Sequence, residues 1–184
     1  ATAVTISLDE PEVMAKAAAK LAYCPVIKVK VDEHNPEDCI KAVRDQAPKA
    51  RLIVDPNESW SFDLLDKMQN FLADARVALL EQPLAAGADE ALKGFSPAVP
   101  ICADEVFHSA DDLDHIADRY QVINIKLDKT GGLTAAIDIM KQARSLNLSI
   151  MVGCMVCSSL SLAPAFHLAA QADFVDLDGA DWLV

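Results

Sequence analysis

Val26-Ile27-Lys28-Val29-Lys30-Val31 is the stretch on which the fold turns. Its apolar residues are all β-branched, which favours a strand, and its lysines are two apart, so both point to the same face. A buried strand does not carry charge at its end unless that charge has a partner or a task. Four further apolar runs along the chain end in the same way: Leu52-Ile53-Val54-Asp55, Leu79-Leu80-Glu81, Ile101-Cys102-Ala103-Asp104 and Ile123-Asn124-Ile125-Lys126. Five charged strand ends in succession point to one shared site. Asp55, Glu81 and Asp104 suit a hard divalent cation, and lysines on well-separated strands suit proton transfer.

The chain between these runs alternates strand, loop and helix. Strands are expected at Thr2–Leu8, Val26–Val31, Leu52–Asp55, Val77–Glu81, Ile101–Ala103, Val122–Lys126, Ser149–Val152 and Phe174–Leu177. Helical patterns fall at Glu12–Tyr23, Pro36–Gln46, Ser61–Ala73, Asp111–Arg119, Leu133–Leu146 and Ser159–Gln171, with a short one at Asp89–Lys93. Strict alternation fits a parallel barrel or a doubly wound sheet. The barrel is favoured because no G-x-G-x-x-G follows any strand. The charges also sit at the ends of many strands, whereas an open sheet gathers its site at one switch point. The expectation is an α/β fold, a TIM-like (β/α)7β barrel forming one domain over residues 1–184. Such barrels typically take about 250 residues, so the loops here are short.

Composition agrees. Hydrophobic residues make up 52% of the 184 and aromatics 5%, as a core of aliphatic strands and covering helices requires. A formal net charge of -12 argues against nucleic acid and anionic membrane surfaces as partners. No apolar stretch approaches the roughly 20 residues of a membrane span. The N-terminus, ATAVTISLDEP, has no basic segment followed by an apolar one, so it does not read as a signal peptide. It has no initiator Met and opens on a strand, which excision from a longer chain would explain. Cys24, Cys39 and Cys102 lie in apolar surroundings and read as reduced core thiols of a cytoplasmic protein. Cys154 and Cys157 form a C-x-x-C without the second ligand pair or thioredoxin-like context that a zinc or redox role needs.

The candidate site follows from the strand ends. Asp55, Glu81 and Asp104 lie on adjacent strands and can converge on Mg²⁺, with Mn²⁺ possible, through oxygen ligands alone. Asn57 and Glu105 stand close enough to support them, although Asn57 could equally be a turn residue. Lys28 and Lys30 should disfavour each other's charge, and a nearby cation adds to this, lowering their pKa values toward those of a general base. Lys126 lies four strands from Lys30, diametrically opposite in an eight-stranded barrel. Asp176 and Asp178 share a face at the last strand and could receive a substrate ammonium group, or they could belong to a polar loop that Asp181 caps. Trp60 and Trp182 are expected to pack.

These residues resemble the enolase superfamily in its muconate-lactonizing subgroup. The marks are Lys28-Val29-Lys30, Asp55-Pro56-Asn57 with Trp60, Glu81-Gln82-Pro83, Ala103-Asp104-Glu105, and Lys126 followed by Gly131-Gly132-Leu133-Thr134-Ala135-Ala136. Within the subgroup the likeness is to the dipeptide epimerases of the L-Ala-D/L-Glu type, through Asp176-Leu177-Asp178 and Gly153-Cys154-Met155. Relatives often carry an acid near the position of Cys157, so fine substrate preference does not carry over. The resemblance implies an isomerase working on cytoplasmic murein peptides. Lys30 and Lys126 would transfer a proton on opposite faces of a dipeptide, Lys28 would hold its carboxylate, and Asp176 and Asp178 would hold its ammonium. Mg²⁺ would stabilise an enediolate, the chemistry for which the superfamily is known. A lyase or cycloisomerase of the same subgroup, or a catalytically silent barrel, are the alternatives. The resemblance also implies an N-terminal α+β capping domain and a C-terminal tail, neither present in these 184 residues. Their absence would expose apolar surface and favour self-association.

Overall fold

The computed structural model describes residues 1–183, which leaves Val184 of the expected domain outside the described residues. Eight parallel strands form one sheet in sequence order: β1 (Val4–Ile6), β2 (Val26–Lys30), β3 (Arg51–Asp55), β4 (Val77–Glu81), β5 (Ile101–Ala103), β6 (Val122–Lys126), β7 (Ser149–Gly153) and β8 (Phe174–Asp176). The helices are α1 (Pro11–Leu21), α2 (Pro36–Gln46), α3 (Phe62–Asp74), α4 (Leu113–Ala117), α5 (Leu127–Thr130), α6 (Leu133–Ser145), α7 (Ser159–Leu162) and α8 (Phe166–Ala169). This is the expected TIM-like α/β barrel.

The seam between β8 and β1 is closed by unlike bonds. The Ala3 amide donates to the Val175 carbonyl at 2.8 Å, the Leu177 amide to Thr2 Oγ1 at 2.7 Å, and the Thr5 amide to Asp178 Oδ2 at 2.8 Å. Two side chains thus stand in for ladder acceptors where the first and last strands meet.

Helix ends follow local chemistry. Pro11 and Pro36 open α1 and α2, where a missing amide proton costs nothing, and Ser61 Oγ caps α3 by accepting from the Leu64 amide at 3.2 Å. The region expected as one helix over Ser159–Gln171 is instead α7, a 3₁₀ turn at Ala163–Ala165, and α8. Pro164 sits in that turn, and its missing N–H removes an intrahelical bond. The expected helix at Asp111–Arg119 is likewise a 3₁₀ turn running into the short α4, although Ser109 and Asp112 do form its capping box. Strand β1 is shorter than expected, and α5, directly after β6, is an addition.

The barrel interior has an apolar floor and a charged roof. Ala3, Ile53, Leu79, Cys102, Val122 and Met151 form a buried interior cluster, with Val26 and Phe174 packed against it. Two residues further along each strand, on the same face, stand Lys28, Asp55, Glu81, Asp104, Asn124, Gly153 and Asp176. One step of the pleat converts core into site on seven strands at once. A separate, larger cluster fills the space between the strands and the helices.

Candidate active site

Lys28 is the centre of the roof. Its Nζ lies 2.9 Å from Asp55 Oδ2, 2.7 Å from Glu81 Oε2 and 2.9 Å from Asp176 Oδ2, with the side chain 5% exposed. Burial opposes the ammonium, but Glu81, Asp55 and Asp176 outweigh it and hold the Lys28 pKa well above its ordinary value. This reverses the expectation of a lowered pKa. Spacing along one strand shows the neighbouring lysine but not the carboxylates that three other strands bring in.

Lys30 donates to Asp55 Oδ2 and to Asn57 Oδ1, each at 2.6 Å. Asn57 in turn donates from Nδ2 to Glu105 Oε1 at 3.1 Å, and its amide bonds Asp55 Oδ1 at 2.9 Å. Its φ of 44° places it in the left-handed region, as in a turn, while its side chain and amide bridge Lys30, Asp55 and Glu105. On the other side, Lys126 Nζ bonds Asp104 Oδ2 and Lys129 Nζ bonds Asp104 Oδ1, both at 2.6 Å. Burial favours the neutral acid at Asp104, yet Lys126 and Lys129 pull its pKa down to about 2. Burial likewise opposes the charge on Lys126, and Asp104 and Glu81 overcome it, so this pKa too is raised.

Glu81 is the exception among the carboxylates. It is fully buried, and burial together with Asp55, Asp104 and Asp176 pushes it up to about 8 despite Lys28. Its Oε1 accepts from Asn124 Nδ2 at 2.8 Å, while Oε2 faces Lys28 without hydrogen-bond geometry. Gly153 makes room for Asn124, since a Cβ there would lie 2.5 Å from Asn124 Oδ1.

Asp55, Glu81 and Asp104 therefore occupy neighbouring strand ends, but lysines take up much of their acceptor capacity. Their oxygens are not drawn to the mutual spacing of an ion-bound set. Among the described residues, the side chains whose ligand atoms lie within 4.8 Å of one another are Asp32, Glu33 and His34, on the loop after β2. The donor set still fits a hard divalent cation. It contains only carboxylates, and the buried Glu81 keeps an Oε2 that faces the Lys28 ammonium at 2.7 Å without a hydrogen bond, an oxygen that a cation could take over.

Above the roof lies a cavity of about 570 Å³, lined by Lys28, Lys30, Glu105, Lys126, Asp176 and Asp178 among others. Asp176 Oδ1 and Glu105 Oε2 are buried without a partner. Leu8, Met155, Val156 and Trp182 also line it and are exposed. Trp182 is therefore a rim residue and not the packing group expected, whereas Trp60 is buried and bonds the Asp32 carbonyl at 2.9 Å. Sequence reasoning missed Lys129 and Asn124. A second lysine one helical turn after Lys126 was the available signal for the first, and an Asn within an apolar run was the signal for the second.

The Enolase C-terminal domain-like family matches residues 12–178. The chain belongs to that family. It is 46% identical over 175 residues to an N-acetyl-D-glutamate racemase from Pseudoalteromonas sp, covering 95% of this chain and 56% of the relative. It is 45% identical over 184 residues to the L-Ala-D/L-Glu epimerase of Escherichia coli (strain K12), covering 99% and 57%. A solved enolase family member from Agrobacterium tumefaciens, with bound sodium and L-Ala-L-Glu, superposes with a TM-score of 0.96 at 46% identity, covering all of this chain and 56% of that one. A dipeptide epimerase from Methylococcus capsulatus complexed with Mg superposes at 0.92 and 31% identity, covering 100% and 57%. The chain thus spans a little over half the length of these relatives. Its homologues are isomerases, epimerases and racemases of the enolase superfamily. No helix among the described residues is long and apolar enough to cross a membrane.

Proposed function

We propose that this chain is the catalytic barrel of a dipeptide epimerase that inverts the C-terminal residue of an L-Ala-D/L-Glu type substrate in cytoplasmic murein peptide metabolism. The observation that carries the reading is the placement of Lys30 and Lys126 on strands four apart in an eight-stranded barrel, lining one cavity. Amines so placed reach a bound α-carbon from opposite faces. Lys30 removes the α-proton on one side and Lys126 returns one on the other. Asp55 and Asp104 keep these two head groups at the mouth. Lys28 holds the carboxylates together and presents positive charge to the substrate's own carboxylate. Asp176, with its unpartnered Oδ1, and Asp178 receive the ammonium end. Mg²⁺, or Mn²⁺, bound by Asp55, Glu81 and Asp104 would supply electrostatic stabilisation of the charge that proton removal places on the substrate carboxylate.

A second reading, racemisation of an N-acylated glutamate, is favoured by the 46% identical racemase and by the commitment of Asp178 Oδ2 to the barrel seam. Such a substrate has no ammonium to bind. Proton NMR in D₂O on the enzyme at the full length of its relatives separates the two. Label entering the glutamate α-position of both stereoisomers of L-Ala-L-Glu supports epimerisation. Exchange confined to N-acetylglutamate supports the second reading, and no exchange with either contradicts both. Asp176→Asn should raise KM for the dipeptide by about tenfold, as expected for loss of a charge-assisted bond. It should leave that for N-acetylglutamate little changed. The barrel alone is expected to exchange slowly, because the substrate would sit in a cavity bordered by exposed side chains, where water weakens its contacts with Lys30 and the cation.

Cation binding should be coupled to a proton. A ligating carboxylate must be ionised, and Glu81 without a cation titrates near 8. Its pKa lies above that of the ion-bound carboxylate, so affinity should rise with pH and level off above about 8. The slope well below that point should be about tenfold per pH unit. Calorimetric titration with Mn²⁺ at pH 6.5 and 9, in buffers of different ionisation enthalpy, should show proton release only at the lower pH. Equal affinity and no proton release at both would contradict Glu81 as a ligand.

A further inference from the structure

Gln82 is fully buried and takes no part in the chemistry above. It directly follows Glu81, and its backbone lies at φ 34°, in the left-handed region that a glutamine rarely adopts. Such a conformation persists where surrounding contacts over-determine it. Here the contacts are those of the side chain. Nε2 donates to the Leu84 carbonyl at 2.8 Å and to the Tyr120 hydroxyl at 3.3 Å. Oε1 accepts from the Asp104 amide at 2.8 Å and the Val106 amide at 3.3 Å. Acceptors at one end and donors at the other leave the amide a single orientation. The Gln82 backbone amide also donates to the Cys102 carbonyl at 2.9 Å.

The grip extends outward. Tyr120 is 2% exposed, and Asp89, which is as buried, lies 3.2 Å from His115 Nε2. Burial first, and Asp89 next, push the phenol up, so it stays neutral. The Leu84 carbonyl and the Tyr120 oxygen together accept from the Gln82 NH₂ and keep it turned away from the Asp104 amide.

We infer that Gln82, oriented by Tyr120, is a positioning residue that sets the spacing between the Glu81 and Asp104 carboxylates and thereby the affinity for a divalent cation. The inference rests on the reading of Asp55, Glu81 and Asp104 as ligands. Glu81 and Asp104 sit on neighbouring strands, and Gln82 spans from the residue after one to the backbone of the other. Without it the Asp104 and Val106 amides become donors without an acceptor, and the segment is free to follow Lys126 and Lys129, which already pull on Asp104.

The test uses the full chain with Gln82→Met, close in length but unable to hydrogen-bond, and Tyr120→Phe, which removes one hydroxyl. The first readout is NMR hydrogen exchange at the Asp104 and Val106 amides in ion-free protein. The second is Mn²⁺ affinity from the electron paramagnetic resonance of free Mn²⁺. Gln82→Met should speed exchange selectively at those two amides and weaken Mn²⁺ binding by about 10–100-fold. Tyr120→Phe should weaken it by about fivefold while keeping the fold, and decides the matter on the same readouts if Gln82→Met does not fold. Unchanged exchange would overturn the clamp. Faster exchange with unchanged Mn²⁺ affinity would reduce Gln82 to a structural role and overturn the inference. Failure of the unsubstituted chain to bind Mn²⁺ in a manner that Asp104→Asn abolishes would remove the ligand reading, and this inference with it. Faster exchange in that case would still show the clamp to be real.

Discussion

Lys126→Ala, made in the enzyme at the full length of its relatives, should abolish net epimerisation of L-Ala-L-Glu while α-proton exchange survives from one stereoisomer. Lys30→Ala should do the reverse. On the proposed two-base reading each amine would serve one face of the α-carbon, so each deletion would leave the opposite face with its base. The lost exchange should fall by about 10²–10⁴-fold, the usual contribution of a positioned general acid or base. The lysines lie on β2 and β6 and line one cavity, so neither can substitute for the other on its own face. Deuterium incorporation followed separately for the L,L and L,D dipeptides measures this. Equal loss from both isomers in both variants would contradict a two-face mechanism.

The largest effect on stability is expected at Lys28. Its ammonium touches Asp55, Glu81 and Asp176 in a site almost closed to solvent. Lys28→Met keeps much of the length and removes the charge, so Glu81 and Asp176 lose their cation and Asp55 is left with Lys30 alone. Breaking a buried ion pair by removing one partner costs about 3–5 kcal/mol, a large share of the roughly 5–15 kcal/mol that holds a domain together. Urea unfolding of the ion-free protein should show this loss. Saturating Mn²⁺ should recover part of it, because a ligand bound by the folded state alone stabilises that state. A change below about 1 kcal/mol would mean that the carboxylates do not depend on Lys28.

The barrel was legible because its signals are local. Six of the eight strands are apolar runs that end in, or pass directly into, a charge, and the period of two places Lys28 and Lys30, or Asp176 and Asp178, on one face without knowledge of the fold. Convergence of adjacent strand ends then follows from parallel order. What stayed hidden is decided between strands. The pKa of Lys28 rises because β3, β4 and β8 deliver carboxylates to it, which spacing along β2 does not reveal. Lys129 reads as one more surface lysine until β5 puts Asp104 beside it. Asn124 reads as an anomaly within a core strand until β4 supplies Glu81. Asp178 reads from spacing as either a substrate acid or part of a polar loop; that one of its oxygens also closes the barrel against Thr5, 173 residues away in the chain, while the residue lines the cavity, is visible only in the fold. The break at Pro164 was local and readable: the proline marks it, but the apolar pattern on either side outweighed it.

A crystal grown at neutral pH and soaked with Mg²⁺ and L-Ala-L-Glu tests the central claim most directly. The expected result is an ion bound by Asp55, Glu81 and Asp104, with the glutamate α-carbon between the amines of Lys30 and Lys126 and the alanine ammonium toward Asp176 and Asp178. An ion lodged instead at Asp32, Glu33 and His34, or a dipeptide whose α-carbon both lysines approach from the same side, would contradict it.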